Sequence, residues 1–178
     1  MKSSILATVL LGAASFAAEL VSGPPIGTTT QSIPVMDVTG IYKGELTCYV
    51  CEYDKAPNVL AFFRDTSDAT AKEIVQLNEL YLKNKSRNFH AVAMIIAGES
   101  SKKWLEDLNR SAHLEIPLTY FKKGPKDPAA RVYNLNSAVS NTLLVTVNRS
   151  VVANISDIGP EQFNRVAEAA SEMLTTVR

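Results

Sequence analysis

"CYVCEYDKAPNVLAFFR", residues 48–64, holds both cysteines of the chain as one C-x-x-C pair and runs directly into "NVLAFF" (58–63). That continuous apolar run reads as a strand buried on both faces, the pattern of a largely parallel sheet covered by helices. Pro57 biases Ala56 towards extended backbone, so the spacer reads as non-helical beyond residue 52. Tyr49 and Val50 favour extended backbone too. In a strand, residues three apart face opposite ways, roughly 10 Å apart, whereas a disulfide needs Cα atoms within about 4.4–6.8 Å. An oxidised pair therefore requires a turn or bulge at Tyr49-Val50.

After this strand, "SDATAKEIVQLNELYLKNK" (67–85) places Ile74, Leu77, Leu80 and Tyr81 on one helical face, with Ser67 or Asp68 as its cap. "FHAVAMIIA" (89–97) reads as a second buried strand. "ESSKKWLEDLNRSA" (99–112) reads as a helix with Trp104, Leu105 and Leu108 inward. "IPLTYF" (116–121) is extended, and "DPAARVYNL" (127–135) is a short helix with Pro128 in its first turn. "NTLLVTVN" and "SVVANIS" flank Asn148-Arg149 as a hairpin, and 159–177 reads as a terminal helix. Upstream, "VMDVTGIYKGELTCYV" reads as an opening hairpin or bent strand around Gly40 and Gly44. Alternating strands and helices imply a central sheet with helices on both faces.

The chain has 178 residues, no net formal charge and a 46% apolar fraction, which fit one packed domain. Nothing in this balance points to nucleic acid. "MKSSILATVLLGAASFAAEL" reads as a secretory signal peptide: Lys2 starts it, Ile5–Leu11 form its apolar core, and Ser15-Phe16-Ala17 flank a cleavage site. The apolar core falls short of the roughly 20 residues that span a bilayer. The expected organisation is a signal peptide over 1–18, a flexible linker over 19–36, in which "VSGPPIGTTTQSIP" reads as a linker or an ordered tail, and a domain over 37–178. The expected product is exported, periplasmic or extracellular, where disulfides persist, with no membrane contact after cleavage.

"DVTG…KG" followed by "VLAFFRD", "IPLTYFKKGPKDPAARVYNL" and "NTLLVTVNRSVVANI" together resemble the thioredoxin-like fold. The resemblance is to its redoxin and alkyl-hydroperoxide-reductase/thiol-specific-antioxidant (AhpC-TSA) branch and covers roughly residues 37–177. It implies an α/β, three-layer α/β/α sandwich with a central mixed sheet and an N-terminal hairpin. "CYVCEYDKAPNV" also looks like a Cys-Tyr-x-Cys-x-Tyr signature of exported redoxin-like proteins from planctomycete-type bacteria, a group that brings no function with it. Two departures stand out. The family's attacking cysteine follows the first central strand, where this chain has "RDTSDATAK" (64–72) with no cysteine. Its usual proline before the closing hairpin is replaced by Ser140-Asn141. Peroxidase chemistry at that place is not expected.

Three readings of Cys48 and Cys51 stand side by side. The first is a redox pair exchanging with thiol- or disulfide-containing proteins, with Cys48 attacking and Cys51 resolving by analogy with other C-x-x-C enzymes. The second is a structural disulfide in a non-catalytic binding or scaffold domain. The third is half of a metal site, for which only His90 and His113 offer nitrogen; that does not complete four ligands, so no metal and no cofactor is assigned. By sequence the pair has neither a helix start nor an evident cationic pocket, and lies near the amino edge of the sheet. Thr66, Ser67, Asp68 and Thr70 read as a helix cap or a retained polar pocket, and Arg64 with Asp65 as a surface ion pair.

Overall fold

A computed structural model describes residues 20–176; the stretch read as a signal peptide lies outside the described residues. The strands are β1 (Val35–Asp37), β2 (Leu46–Thr47), β3 (Asn58–Phe63), β4 (His90–Ile95), β5 (Leu118–Tyr120), β6 (Asn141–Val147) and β7 (Ser150–Ser156). The α-helices are α1 (Tyr49–Tyr53), α2 (Asp68–Asn84), α3 (Lys102–Ala112), α4 (Pro128–Val132) and α5 (Asn164–Thr176). One mixed sheet runs in the order β2-β1-β5-β4-β3-β6-β7. β3 pairs in parallel with β4, from Asn58↔His90 to Phe63↔Ile95, and antiparallel with β6, from Asn58↔Thr146 to Phe63↔Asn141.

β3 is central because all six of its side chains are buried. Val59, Ala61 and Phe63 face one core, with Ile74 and Leu77 of α2, Leu105 of α3 and Val166 of α5. Leu60 and Phe62 face the other, with Tyr49 and Val50 of α1 and Ala129 of α4. Two successive parallel crossovers stepping the same way along the sheet must lie on one face, which puts α2 and α3 together. Each large buried side chain contributes about 1.5–3 kcal/mol relative to exposure. Trp104, expected inward, is half-buried at the core margin, while Leu105 beside it is fully buried.

The expected boundaries hold where local chemistry marks them. Ser67 caps α2 by accepting the Thr70 N–H, and Asp127 caps α4 by accepting the Ala129 N–H ahead of Pro128. Asn148 and Arg149 turn the β6–β7 hairpin at φ 52° and 60°, the paired left-handed geometry of a two-residue hairpin turn.

The stretch read as a linker or ordered tail is seated on the domain. The Gly27 N–H donates to Val151 O (2.8 Å), the Thr30 N–H donates to Arg149 O (2.7 Å), and Thr29 bridges Ser150. The Tyr133 hydroxyl donates to Gln31 O (2.7 Å), and Ile33 is buried against Leu60 and Phe62. The segment lacks any side-chain period because its backbone, rather than a repeating apolar face, satisfies the open edge of β7 and then crosses the sheet to β1.

Candidate functional site

The cysteines sit on α1, where an extended backbone was expected. Cys48 keeps extended dihedrals (φ −118°, ψ 91°) and caps the helix. The Cys51 N–H donates to Cys48 Sγ (3.2 Å) and to Cys48 O (2.9 Å), and the Glu52 N–H donates to Cys48 O (3.0 Å). The two sulfurs are bonded as a disulfide with Cα atoms 5.2 Å apart. A bonded C-x-x-C requires a turn at Tyr49-Val50, and this helix supplies it. Burial overrides the β propensity of the two residues: Tyr49 is 3% exposed and Val50 4%. Asp54, at φ 41°, ends α1 ahead of Pro57. The pair lies over one face of the sheet, towards the amino edge of β3: Cys48 packs against the cluster of Ile33, Val50 and Leu60, and Cys51 shares Ser32 with Arg149 of the β6–β7 turn, which stands at that edge. At the same edge the Tyr53 hydroxyl donates to Ala91 O (2.9 Å), its ring stacks on His90 with centroids 4.7 Å apart, and the Asn148 N–H donates to Lys55 O (3.0 Å).

A buried carboxylate sets the pitch of α1. Asp37 is 2% exposed and accepts the N–H groups of Thr39 (3.1 Å), Gly40 (2.7 Å) and Tyr42 (2.9 Å) and the Tyr49 hydroxyl (2.6 Å). A Cβ at Gly40 would collide with the Tyr49 hydroxyl and the Asp37 carboxylate, so this turn requires glycine. Burial first, and then the bond to Asp37, push the Tyr49 phenol well above its ordinary range. Burial lowers His90 below its ordinary value. A cavity of about 430 Å³ beside α1 is lined by Tyr49, Glu52, Tyr53, Tyr81, His90 and Glu115.

A cationic setting, absent from the sequence reading, comes from two distant segments. Ser32 Oγ lies 3.2 Å from Cys51 Sγ, and Arg149 Nη2 donates to the same Ser32 Oγ (3.2 Å). Arg149 Nη1 is 3.9 Å from Asp54 Oδ1, and its buried Nε has no partner among the described residues. Ser32 also borders a groove of about 420 Å³ lined by Ile33, Pro34, Leu46 and Val132. Neither Ser32 nor Arg149 carries a local signal. Their pairing joins positions 117 apart, which no motif spacing reveals.

At the exit of β3 the polar residues form a separate cluster. Arg64 does not pair with Asp65; its Nε donates to Val139 O (3.1 Å) and its Nη2 to Asn136 O (2.8 Å). Asp65 Oδ1 accepts the Ser67 N–H (3.0 Å) and the Thr70 hydroxyl (2.8 Å). Burial opposes ionisation of Asp65, yet these bonds hold its carboxyl below the ordinary range. Glu73 is 2% exposed and accepts from Asn141 Nδ2 (2.7 Å). Burial, reinforced by Asp65 and Glu161 and opposed by the Asn141 bond, raises its carboxyl to about 7. Asn141 also closes onto Ile158 through both its N–H and its carbonyl. Ser67 and Thr70 thus serve as a cap tied to Asp65. Among the described residues no three His, Cys, Asp or Glu side chains converge as a metal site. His90 is engaged by Tyr53 and Asn88.

No protein-family profile matches the chain, and no curated protein does. Solved structures do. A candidate protein disulfide isomerase from Bacteroides thetaiotaomicron superposes with a TM-score of 0.68 at 15% identity, over 88% of this chain and 95% of its own. A candidate thiol:disulfide interchange protein, DsbE, from Chlorobium tepidum gives 0.66 at 14% identity, over 84% and 98%. The peroxidoxin BcpB from Mycobacterium tuberculosis gives 0.64 at 16% identity, over 86% and 97%. The fold is thioredoxin-like. At these identities the likeness extends to architecture and no further. Within this thioredoxin-like frame the place after β3 holds Asp65, Ser67 and Thr70 rather than a thiol, and the cysteine pair occupies a helix start of its own on α1.

Proposed function

We propose that this chain is an exported thiol–disulfide exchange protein that works through Cys48 and Cys51 on thiol- or disulfide-containing proteins. The observation that carries the reading is the placing of the pair. A bonded C-x-x-C caps a helix, Cys51 is open to solvent, and a cationic side chain stands behind it through Ser32. Thiolates are favoured by such local positive potential. A purely structural role gains little here. Closing so short a loop restricts the unfolded chain by only about 2 kcal/mol, against about 4.7 for a loop of roughly 100 residues.

Export is supported by the signal-peptide pattern at 1–18, and a disulfide suits an oxidising compartment. Among the described residues no helix is long and apolar enough to cross a membrane. The test is the reduction potential of the pair, measured against a dithiol redox buffer. A value between about −270 and −120 mV supports exchange, and one below about −300 mV assigns the disulfide to a scaffold instead. Insulin reduction should be present in the native protein and absent from the Cys48→Ser, Cys51→Ser double variant. Activity that persists without both sulfurs would end this reading.

A further inference from the structure

We propose that Cys51 is the sulfur that exchanges with partner molecules and Cys48 the sulfur that resolves, with Arg149 acting through Ser32 as the positioning pair for Cys51. This rests on the redox reading above and reverses the order expected from other C-x-x-C enzymes.

The two sulfurs stand in unlike surroundings. Cys51 is exposed, whereas Cys48 is half-buried against the cluster that includes Ile33 and Val50. An incoming sulfur must approach along the line of the bond it breaks, and of the two cysteines Cys51 is the exposed one. The groove lined by Ile33, Pro34 and Leu46 reaches Ser32, and therefore the Cys51 side of the pair. Arg149 has already donated to Ser32 Oγ, so the Ser32 hydroxyl proton is free to point at Cys51 Sγ, 3.2 Å away. Cys48 has a different partner, the Cys51 N–H at 3.2 Å. That bond suits a leaving thiolate.

In the reduced protein, the Cys51 thiolate attacks a partner disulfide. One Cys51–partner S–S bond forms, the partner's own S–S bond breaks, and its second sulfur leaves as a thiolate. The Cys48 thiolate then attacks Cys51 Sγ, forming the Cys48–Cys51 bond and expelling the first partner sulfur. Two electrons pass from the protein dithiol to the partner, and the two thiol protons pass through solvent to the two released thiolates. An external dithiol restores the protein by the same steps in reverse.

The charged and titratable groups around Cys51 come from several elements. Arg149 enters from the β6–β7 turn, Asp54 and Lys55 from the end of α1, and Lys122 and Lys123 line the groove beyond Ser32. Glu52 follows Cys51 directly, and its proximity raises the Tyr42 phenol above its ordinary value. Tyr133 feels Arg149 from α4 and donates its own proton to Gln31 O. Asp54 is the group that opposes Arg149, and its side chain is 56% exposed, so solvent screens it more than it screens the partly buried guanidinium at 31%.

The test uses full-length single-cysteine variants and iodoacetamide as the probe, with alkylation rates followed across pH. Cys48→Ser keeps a good helix cap, because serine is favoured there. At pH 7, Cys51 in Cys48→Ser should react about tenfold faster than Cys48 in Cys51→Ser, with a profile displaced downward by about one pH unit. Adding Arg149→Gln or Ser32→Ala should slow Cys51 several-fold and move its profile up, leaving Cys48 in Cys51→Ser unchanged; Arg149→Lys should restore part of the rate. Glutathione disulfide added to the reduced native protein should leave its transient adduct on Cys51, as peptide mass spectrometry reads. Faster alkylation of Cys48, or Arg149→Gln acting on both sulfurs equally or on neither, overturns the proposal. Circular dichroism and unfolding midpoints separate these outcomes from misfolding. The order of sulfur reactivity is read without turnover, so it stands or falls separately from the reduction potential that decides the redox reading.

Discussion

Glu73 lies on the inward face of α2 between Thr70 and Leu77, where an acidic side chain is costly. Its spacing with Leu77 and Leu80 was available in the sequence, but a glutamate is ordinarily read as exposed. What brings it inside is Asn141, 68 positions away, which donates to it. With the folded carboxyl raised to about 7 from a reference of 4.5, the folded state holds a proton that the unfolded state has lost. Stability should therefore fall as pH rises through that interval and level off above it, by about 3 kcal/mol in all. Glu73→Gln keeps an acceptor for Asn141 and has no charge to bury. Denaturant titrations from pH 5 to 8 should show the native slope flattened in this variant, and an unchanged slope would remove Glu73 as its source. The cysteines were legible at this scale, since only two exist; Ser32 and Arg149 were not, because nothing beside either one distinguishes it from an ordinary surface residue.

At the scale of elements, β3, β4 and α2 were readable because their apolar residues recur at strand or helix spacing over six or more positions. α1 was not. It is five residues long, too short to show a period, and Tyr49 and Val50 argue for a strand when taken alone. Its helical form depends on the Tyr49–Asp37 bond and on Val50 entering the core, both of which are tertiary. The disulfide is therefore a consequence of α1 more than its cause. Replacing both cysteines by serine should leave the far-ultraviolet spectrum unchanged and lower stability by no more than about 2 kcal/mol, as measured by urea unfolding. A loss beyond about 4 kcal/mol would mean that the sulfurs hold α1 in place.

For the molecule as a whole, alternating strands and helices made the layered sheet legible, and the turn at Asn148-Arg149 made its closing hairpin so. An ordered tail was one reading of residues 22–34, but where it docks was hidden, because backbone-to-backbone bonding leaves no trace in side-chain pattern. This segment buries Ile33 and carries Ser32 to Cys51. A chain that starts at Pro34 should lose at least about 2 kcal/mol through Ile33 alone and should alkylate more slowly at Cys51, by the same iodoacetamide assay. Unchanged stability would show that the segment is a passenger. Its path also fixes an order of events during synthesis. The ribosome makes Ser32, Cys48 and Cys51 early, but the segment docks on Tyr133 and on β7, and Arg149 is the last part of the site to appear. The cysteines are therefore present long before their setting is, and a nascent chain displays a bare thiol pair whose reactivity is tuned only when the closing hairpin arrives.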